Sequence, residues 1–135
     1  MTERYRGRVA IVTGGTTGIG RGIVERLVSE GASVVTCARH APESPLPDGA
    51  TFIAADITDE ATVASVIDAA VDRYGRLDVL VANAGGVNPA ACAAAFERMA
   101  AEAGVKLKVA YVAGDDLLDR ADELSGQTEM FTGER

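Results

Sequence analysis

The sequence predicts an α/β protein: a Rossmann-like, doubly wound parallel sheet of five strands in the order 3-2-1-4-5, covered by helices on both faces in a three-layer αβα arrangement. Three observations lead there. Short apolar runs take turns along the chain with segments whose apolar residues recur at helical spacing. Those runs do not alternate polar with apolar, as befits strands buried on both faces. The first of them, Val9-Ala10-Ile11-Val12, passes through Thr13-Gly14-Gly15-Thr16-Thr17-Gly18-Ile19-Gly20 straight into a helical pattern. In such a sheet, strands 1 and 4 are neighbours and the topological switch lies between them, so a ligand belongs beyond the carboxyl ends of those two strands.

Each element has its own signal. The first strand spans residues 8–14, and the first helix runs from about Ile19 to Glu30, with Ile19, Ile23 and Leu27 as its apolar stripe and Gly31 as its stop. Residues 33–39 form the second strand. Residues 40–49 hold three of the four prolines and cannot be regular, so the usual crossover helix is replaced by a surface loop. The third strand, Thr51-Phe52-Ile53-Ala54-Ala55, ends at Asp56. Thr58 is expected to cap the next helix, whose first turn carries Asp59 and Glu60 and whose buried stripe is Val63, Val66, Ile67, Ala70 and Tyr74. Residues 78–82 make the fourth strand. Asn88 then reads as a cap with Pro89 at the first helical position, followed by the apolar face Cys92, Phe96, Met99 and Ala103 up to Gly104. A fifth strand over 107–112 and a last helix capped by Asp115 and closed by Gly126 complete the fold, and the remainder frays.

Composition narrows the function. The 135 residues suit one domain, 1–135, and 47% hydrophobic with 24% charged residues is globular. No apolar stretch approaches membrane length and Met1-Thr2-Glu3-Arg4 is no signal peptide, so a cytoplasmic protein is expected, with no membrane partner. A formal net charge of −7 argues against nucleic acid. Cys37 and Cys92 lack a second Cys-x-x-Cys member, and His40 is the single histidine, so neither a zinc site nor a Cys-His nucleophile can be built. Adjacent Asp115 and Asp116 read as helix capping rather than as a metal site.

The chemistry sits in the glycine turn. Backbone N–H groups at a helix start converge on one spot, reinforced by the helix dipole, and select an anion such as phosphate. Gly14 suits a tight turn, Gly18 a close backbone approach to a pyrophosphate, and Gly20 a helix pressed onto its strand. The spacing G-x3-G-x-G is neither the G-x-G-x-x-G fingerprint nor a P-loop. It resembles the cofactor loop of short-chain dehydrogenases/reductases, and the resemblance extends over residues 8–85. It implies that Gly14, Thr16, Thr17, Gly18, Ile19 and Gly20 meet the phosphates and ribose of a nicotinamide dinucleotide. It also implies that Asp56 and Ile57 hold the adenine, and that Asn83, Ala84 and Gly85 steady the sheet and line the cleft. Members that prefer NAD carry an acidic residue near the end of the second strand. Here Ala38 stands there and Arg39 follows, which favours NADP(H) over NAD(H) through a guanidinium grip on the 2′-phosphate.

The same family needs a serine and a Tyr-x3-Lys pair for proton transfer. Tyr5, Tyr74 and Tyr111 are followed four positions on by Val9, Asp78 and Asp115, and Ser125 is the only serine after Asn83. The chain as it stands is therefore expected to be inactive, its catalytic residues none. Past the Asn83-Ala84-Gly85-Gly86 turn, Asn88-Pro89 and Gly114-Asp115-Asp116-Leu117-Leu118 resemble the acyclic terpene utilisation family over residues 82–124, so the chain reads as a chimera joined where the two families share a turn. The alternatives are a non-catalytic interaction or assembly module, self-pairing through an open fifth strand, and a fragment of an acyclic terpene utilisation family protein.

Overall fold

The computed structural model describes residues 3–82, 89–107 and 109. Seven elements follow one another: β1 (Val9–Thr13), α1 (Gly18–Ser29), β2 (Ser33–Ala38), β3 (Ala50–Ala54), α2 (Glu60–Tyr74), β4 (Val79–Val81) and α3 (Pro89–Glu102). The four described strands are parallel and ordered β3-β2-β1-β4. Val12 pairs with Thr36 on one side and Val81 on the other, so β1 is flanked along its length. The expected fifth strand falls outside the described residues apart from Leu107 and Val109. The final helix, Asp115, Asp116 and the tail also lie outside them.

Burial divides into two layers of side chains. On one face Ala10, Val12 and Val34 meet Val24 and Leu27 of α1. On the other, Val9, Ile11, Val35 and Cys37 meet Val63, Val66, Ile67 and Ala70 of α2, and Phe96 and Met99 of α3. Every residue of β1 is buried, which is why its run shows no polar alternation. Each fully buried valine, isoleucine or leucine contributes roughly 1.5–3 kcal/mol against solvent. Among the described residues, no helix is long and apolar enough to cross a membrane.

Two local expectations are corrected. The buried residues of α1 are Val24 and Leu27, whereas Ile19 is 83% exposed. Ile19 sits in the first turn of α1, at the carboxyl end of β1, and the packing on the sheet is left to Val24 and Leu27. Asp59, not Thr58, caps α2: Asp59 accepts the Ala61 N–H at 3.0 Å and the Thr62 hydroxyl at 2.6 Å. Thr58 lies one residue outside the capping position, and its N–H and hydroxyl are donated back to Asp56, at 3.0 and 2.7 Å. Residues 40–49 hold no helix or strand, so β2 reaches β3 without a crossover helix, as the prolines require.

The end of the sheet away from the glycine turn is pinned by ion pairs. Asp78 accepts from Arg76 at 2.6 Å, from Arg8 at 3.0 Å and from the Val9 N–H at 2.9 Å, tying β1 to the start of β4. Glu30, almost fully buried, receives Arg4 and Arg26. Arg4 and then Arg26 hold the Glu30 carboxyl down to about 2 against the opposing effect of burial. Arg76, with help from the Val9 N–H and Arg8, does the same for Asp78, to about 2. A carboxylate lowered on folding stabilises the protein above its unfolded pKa, and that stability is lost as pH falls through the folded value. The melting temperature is therefore expected to hold down to about pH 4.5 and to fall between there and about pH 2. Glu30→Gln with Asp78→Asn should flatten that fall in thermal melts across pH, and an unchanged slope would rule out these two groups as its source.

Candidate dinucleotide site

β1 ends at Thr13, yet its ladder continues one residue further, because the Gly14 N–H donates to the Cys37 carbonyl at 2.8 Å. The chain then turns sharply with φ of +66° at Gly14 and +56° at Gly18, values that favour glycine. Thr17 is the N-cap of α1 in an extended conformation, and its side chain makes no capping bond. The first bond closing the helix runs from the Arg21 N–H to the Thr17 carbonyl at 3.1 Å. Among the described residues the N–H groups of Gly18, Ile19 and Gly20 consequently have no acceptor, and the first turn carries no acidic side chain to occupy them. Three amide donors at the positive end of a helix dipole form an anion site.

Two glycines make this geometry possible by what they leave out. A Cβ on Gly20 would overlap the Gly14 carbonyl oxygen and stand 2.7 Å from its carbon, so α1 packs directly on the backbone of the turn. A Cβ on Gly15 would overlap Thr36 Oγ1 and stand 2.6 Å from Val24 Cγ2. Thr36, fully buried, uses that hydroxyl to bond the Val12 carbonyl at 2.8 Å. The G-x3-G-x-G spacing gave no notice of Gly15, whose role depends on a strand pairing 21 positions downstream.

Above the carboxyl ends of β1 and β4 lies a cleft of about 380 Å³, within the range of small-molecule sites. The structure brings Gly14, Thr17, Ile19, Gly20 and Ile57 together in its lining, and adds Ile23 and Val81 among others. Thr16, Gly18, Arg39 and Asp56 stand outside that lining. Ile23, read from sequence as part of a buried stripe, faces the cleft because it lies one turn beyond Ile19. Asn83, Ala84 and Gly85 lie outside the described residues, directly after Val81 and Ala82, which reach the cleft.

At the other side, Asp56 is exposed and occupied in building its own turn. The Thr58 N–H first, then the Thr58 hydroxyl, and more weakly the charge of Arg39 hold its carboxyl below the usual range, with burial opposing. Both Thr58 donors use one oxygen, Oδ1. Burial pushes the Cys37 thiol up, in keeping with a packing residue. Among the described residues no group of three His, Cys, Asp or Glu could hold a metal ion.

A family model described as short chain dehydrogenase matches residues 8–111. The chain belongs to this family. Its match to the family runs past residues 83–86 and through α3. The chain is 46% identical over 90 residues to L-fucose dehydrogenase of Bos taurus, covering 63% of this chain and 33% of that protein. It is 41% identical over 92 residues to the NADP-dependent (R)-specific alcohol dehydrogenase of Lentilactobacillus kefiri, with 63% and 36% covered. Among solved structures, the ligand-free aldohexose dehydrogenase of Thermoplasma acidophilum superposes with a TM-score of 0.56 at 39% identity, covering 63% of this chain and 32% of that one. Hydroxysteroid dehydrogenase of Escherichia coli gives a TM-score of 0.62 at 27% identity, with 75% and 54% covered. The chain thus spans about a third of the length of the curated relatives it matches. That third corresponds to the dinucleotide-binding part of a short-chain dehydrogenase, and the amides without acceptors, the glycine contacts and the cleft fit a diphosphate.

Proposed function

We propose that this chain binds NADP(H) in preference to NAD(H) and that these 135 residues do not turn a substrate over by themselves. The observation that carries the first part is the trio of N–H groups at Gly18, Ile19 and Gly20 without an acceptor among the described residues, at the start of α1 where Ile19 and Gly20 line the cleft. The diphosphate lies across that trio, with Thr16 and Thr17 beside it. Ile19, exposed in the protein alone, becomes covered by the ligand, and Ile57 with Asp56 borders the adenine. Asn83, Ala84 and Gly85, which follow Val81 and Ala82 of the cleft, are assigned to the same ligand by the family resemblance. The nicotinamide supplies or accepts hydride when bound; the residues named here bind and orient it.

The preference rests on Arg39, the residue after β2, and on Ala38, which stands where NAD-preferring members carry an acidic residue. The NADP-dependent alcohol dehydrogenase of Lentilactobacillus kefiri among the relatives supports that choice. Charge-assisted hydrogen bonds to a phosphate contribute roughly 1.5–3 kcal/mol each, so Arg39→Ala should weaken NADPH about 10- to 100-fold and NADH by less than about twofold. Equal losses for both cofactors would remove Arg39 from this role. The absence of turnover follows from the tyrosines, none of which has lysine four positions on. A joint of two ancestries at Asn83-Ala84-Gly85-Gly86 belongs to the same proposal and rests on the Gly114-Asp115-Asp116-Leu117-Leu118 motif alone, since the family match runs through residues 83–86 to residue 111. Calorimetric titration with NADPH and NADH tests the binding. Saturable heat with NADPH at micromolar to low millimolar concentration is expected, and no saturation with either cofactor would reject the proposal.

A further inference from the structure

We infer that Arg21 is a positioning residue for the 2′-phosphate end of the dinucleotide site, acting by tethering the loop that Arg39 opens. The inference rests on the binding reading above. Arg21 sits in the first turn of α1, where a cation opposes the helix dipole, and its side chain is only 18% exposed. It is held by Glu25 one turn on, with Nε to Oε1 at 2.7 Å. Its other two nitrogens leave the helix altogether. Nη2 donates to the Pro45 carbonyl at 2.5 Å and Nη1 to the Ser44 carbonyl at 3.3 Å.

These bonds matter because of what the loop lacks. In place of a crossover helix, residues 39–49 connect β2 to β3 as an irregular chain. Among the described residues, the Arg21 guanidinium makes the only hydrogen bonds to residues 40–46. A planar, forked donor is the side chain suited to span two successive carbonyls while keeping a carboxylate partner. Arg21 also lies next to Gly20 in sequence, so the same turn of helix that offers amides to the diphosphate anchors the loop that begins with Arg39. Releasing the tether leaves Arg39 to be ordered at the moment of binding, and that ordering weakens affinity for the ligand it grips.

Four proteins decide it: wild type, Arg21→Ala, Arg39→Ala and the double variant, each the full chain, with thermal melts recorded first. Without any cofactor, cleavage after Glu43 by a glutamate-specific protease should be several-fold faster in Arg21→Ala than in wild type. With cofactor, Arg21→Ala should raise the NADPH dissociation constant on the order of tenfold and leave NADH within about twofold. It should add no further loss in the Arg39→Ala background. Arg21→Lys, which keeps the Glu25 pair and one donor, should fall between wild type and Arg21→Ala; it carries the test if Arg21→Ala does not fold. Wild-type binding with equal loss for both cofactors, losses that add to those of Arg39→Ala, or unchanged cleavage at Glu43 overturns this inference alone. A wild type that binds neither dinucleotide overturns the binding proposal and this inference with it.

Discussion

Gly20→Ala is expected to weaken NADPH binding severely while the protein stays folded. The added methyl overlaps the Gly14 carbonyl, which is backbone and cannot swing aside as a side chain would. Either α1 lifts from the turn or the turn itself opens, and both movements spread the N–H groups of Gly18, Ile19 and Gly20. Crowding of this kind costs roughly 1–3 kcal/mol, a part of the stability of an ordinary domain. The loss at the site is larger, because several charge-assisted bonds fail together, and NADPH affinity should drop on the order of 100-fold or more. Circular dichroism establishes that the variant is folded and calorimetry reads its affinity. A folded Gly20→Ala protein that binds NADPH as well as wild type would show that the close approach of helix and turn does not shape the site.

Gly15→Ala acts on stability before it acts on binding. Its methyl would enter the space held by Thr36 Oγ1 and Val24 Cγ2, both on fully buried residues. Moving Thr36 also strains the hydroxyl bond to the Val12 carbonyl. Overpacking of roughly 1–3 kcal/mol should lower the melting temperature by roughly 4–12 °C. Thr36→Ala removes the obstructing oxygen, so the double variant should recover part of what Gly15→Ala loses, a coupling that a double-mutant cycle measures. Simple additivity of the two single effects would mean that Gly15 is required for another reason.

The parts of the fold that local rules determine were readable before any coordinates. Non-alternating runs gave β1, β2 and β4 to within a residue or so, and the prolines at 42, 45 and 47 removed the crossover helix correctly. The strand order follows from right-handed crossovers and holds for all four described strands. What escaped depends on meetings between distant residues. Thr58 has every property of a cap, but α2 begins at Glu60, so the capping position falls to Asp59. Ile19 keeps helical phase with Ile23, yet it stands exposed at the cleft. Gly15 and Thr36 acquire their meaning only from the β1–β2 register, and the grip of Asp78 on Arg8 and Val9 spans about 70 positions. In the candidate site the glycine turn was legible because its chemistry is carried by consecutive residues. The reach of Arg21 to a loop 23 and 24 positions away was not.

The account depends on amides at the start of α1 holding a negatively charged diphosphate, and nuclear magnetic resonance addresses those atoms individually. Titrating NADPH into the ¹⁵N-labelled chain should move the amide resonances of Gly18, Ile19 and Gly20 furthest and in parallel, with those of Val9 and Asp78 at the opposite end of the sheet staying in place. Saturating NADPH that shifts other residues and leaves these three unmoved would contradict it.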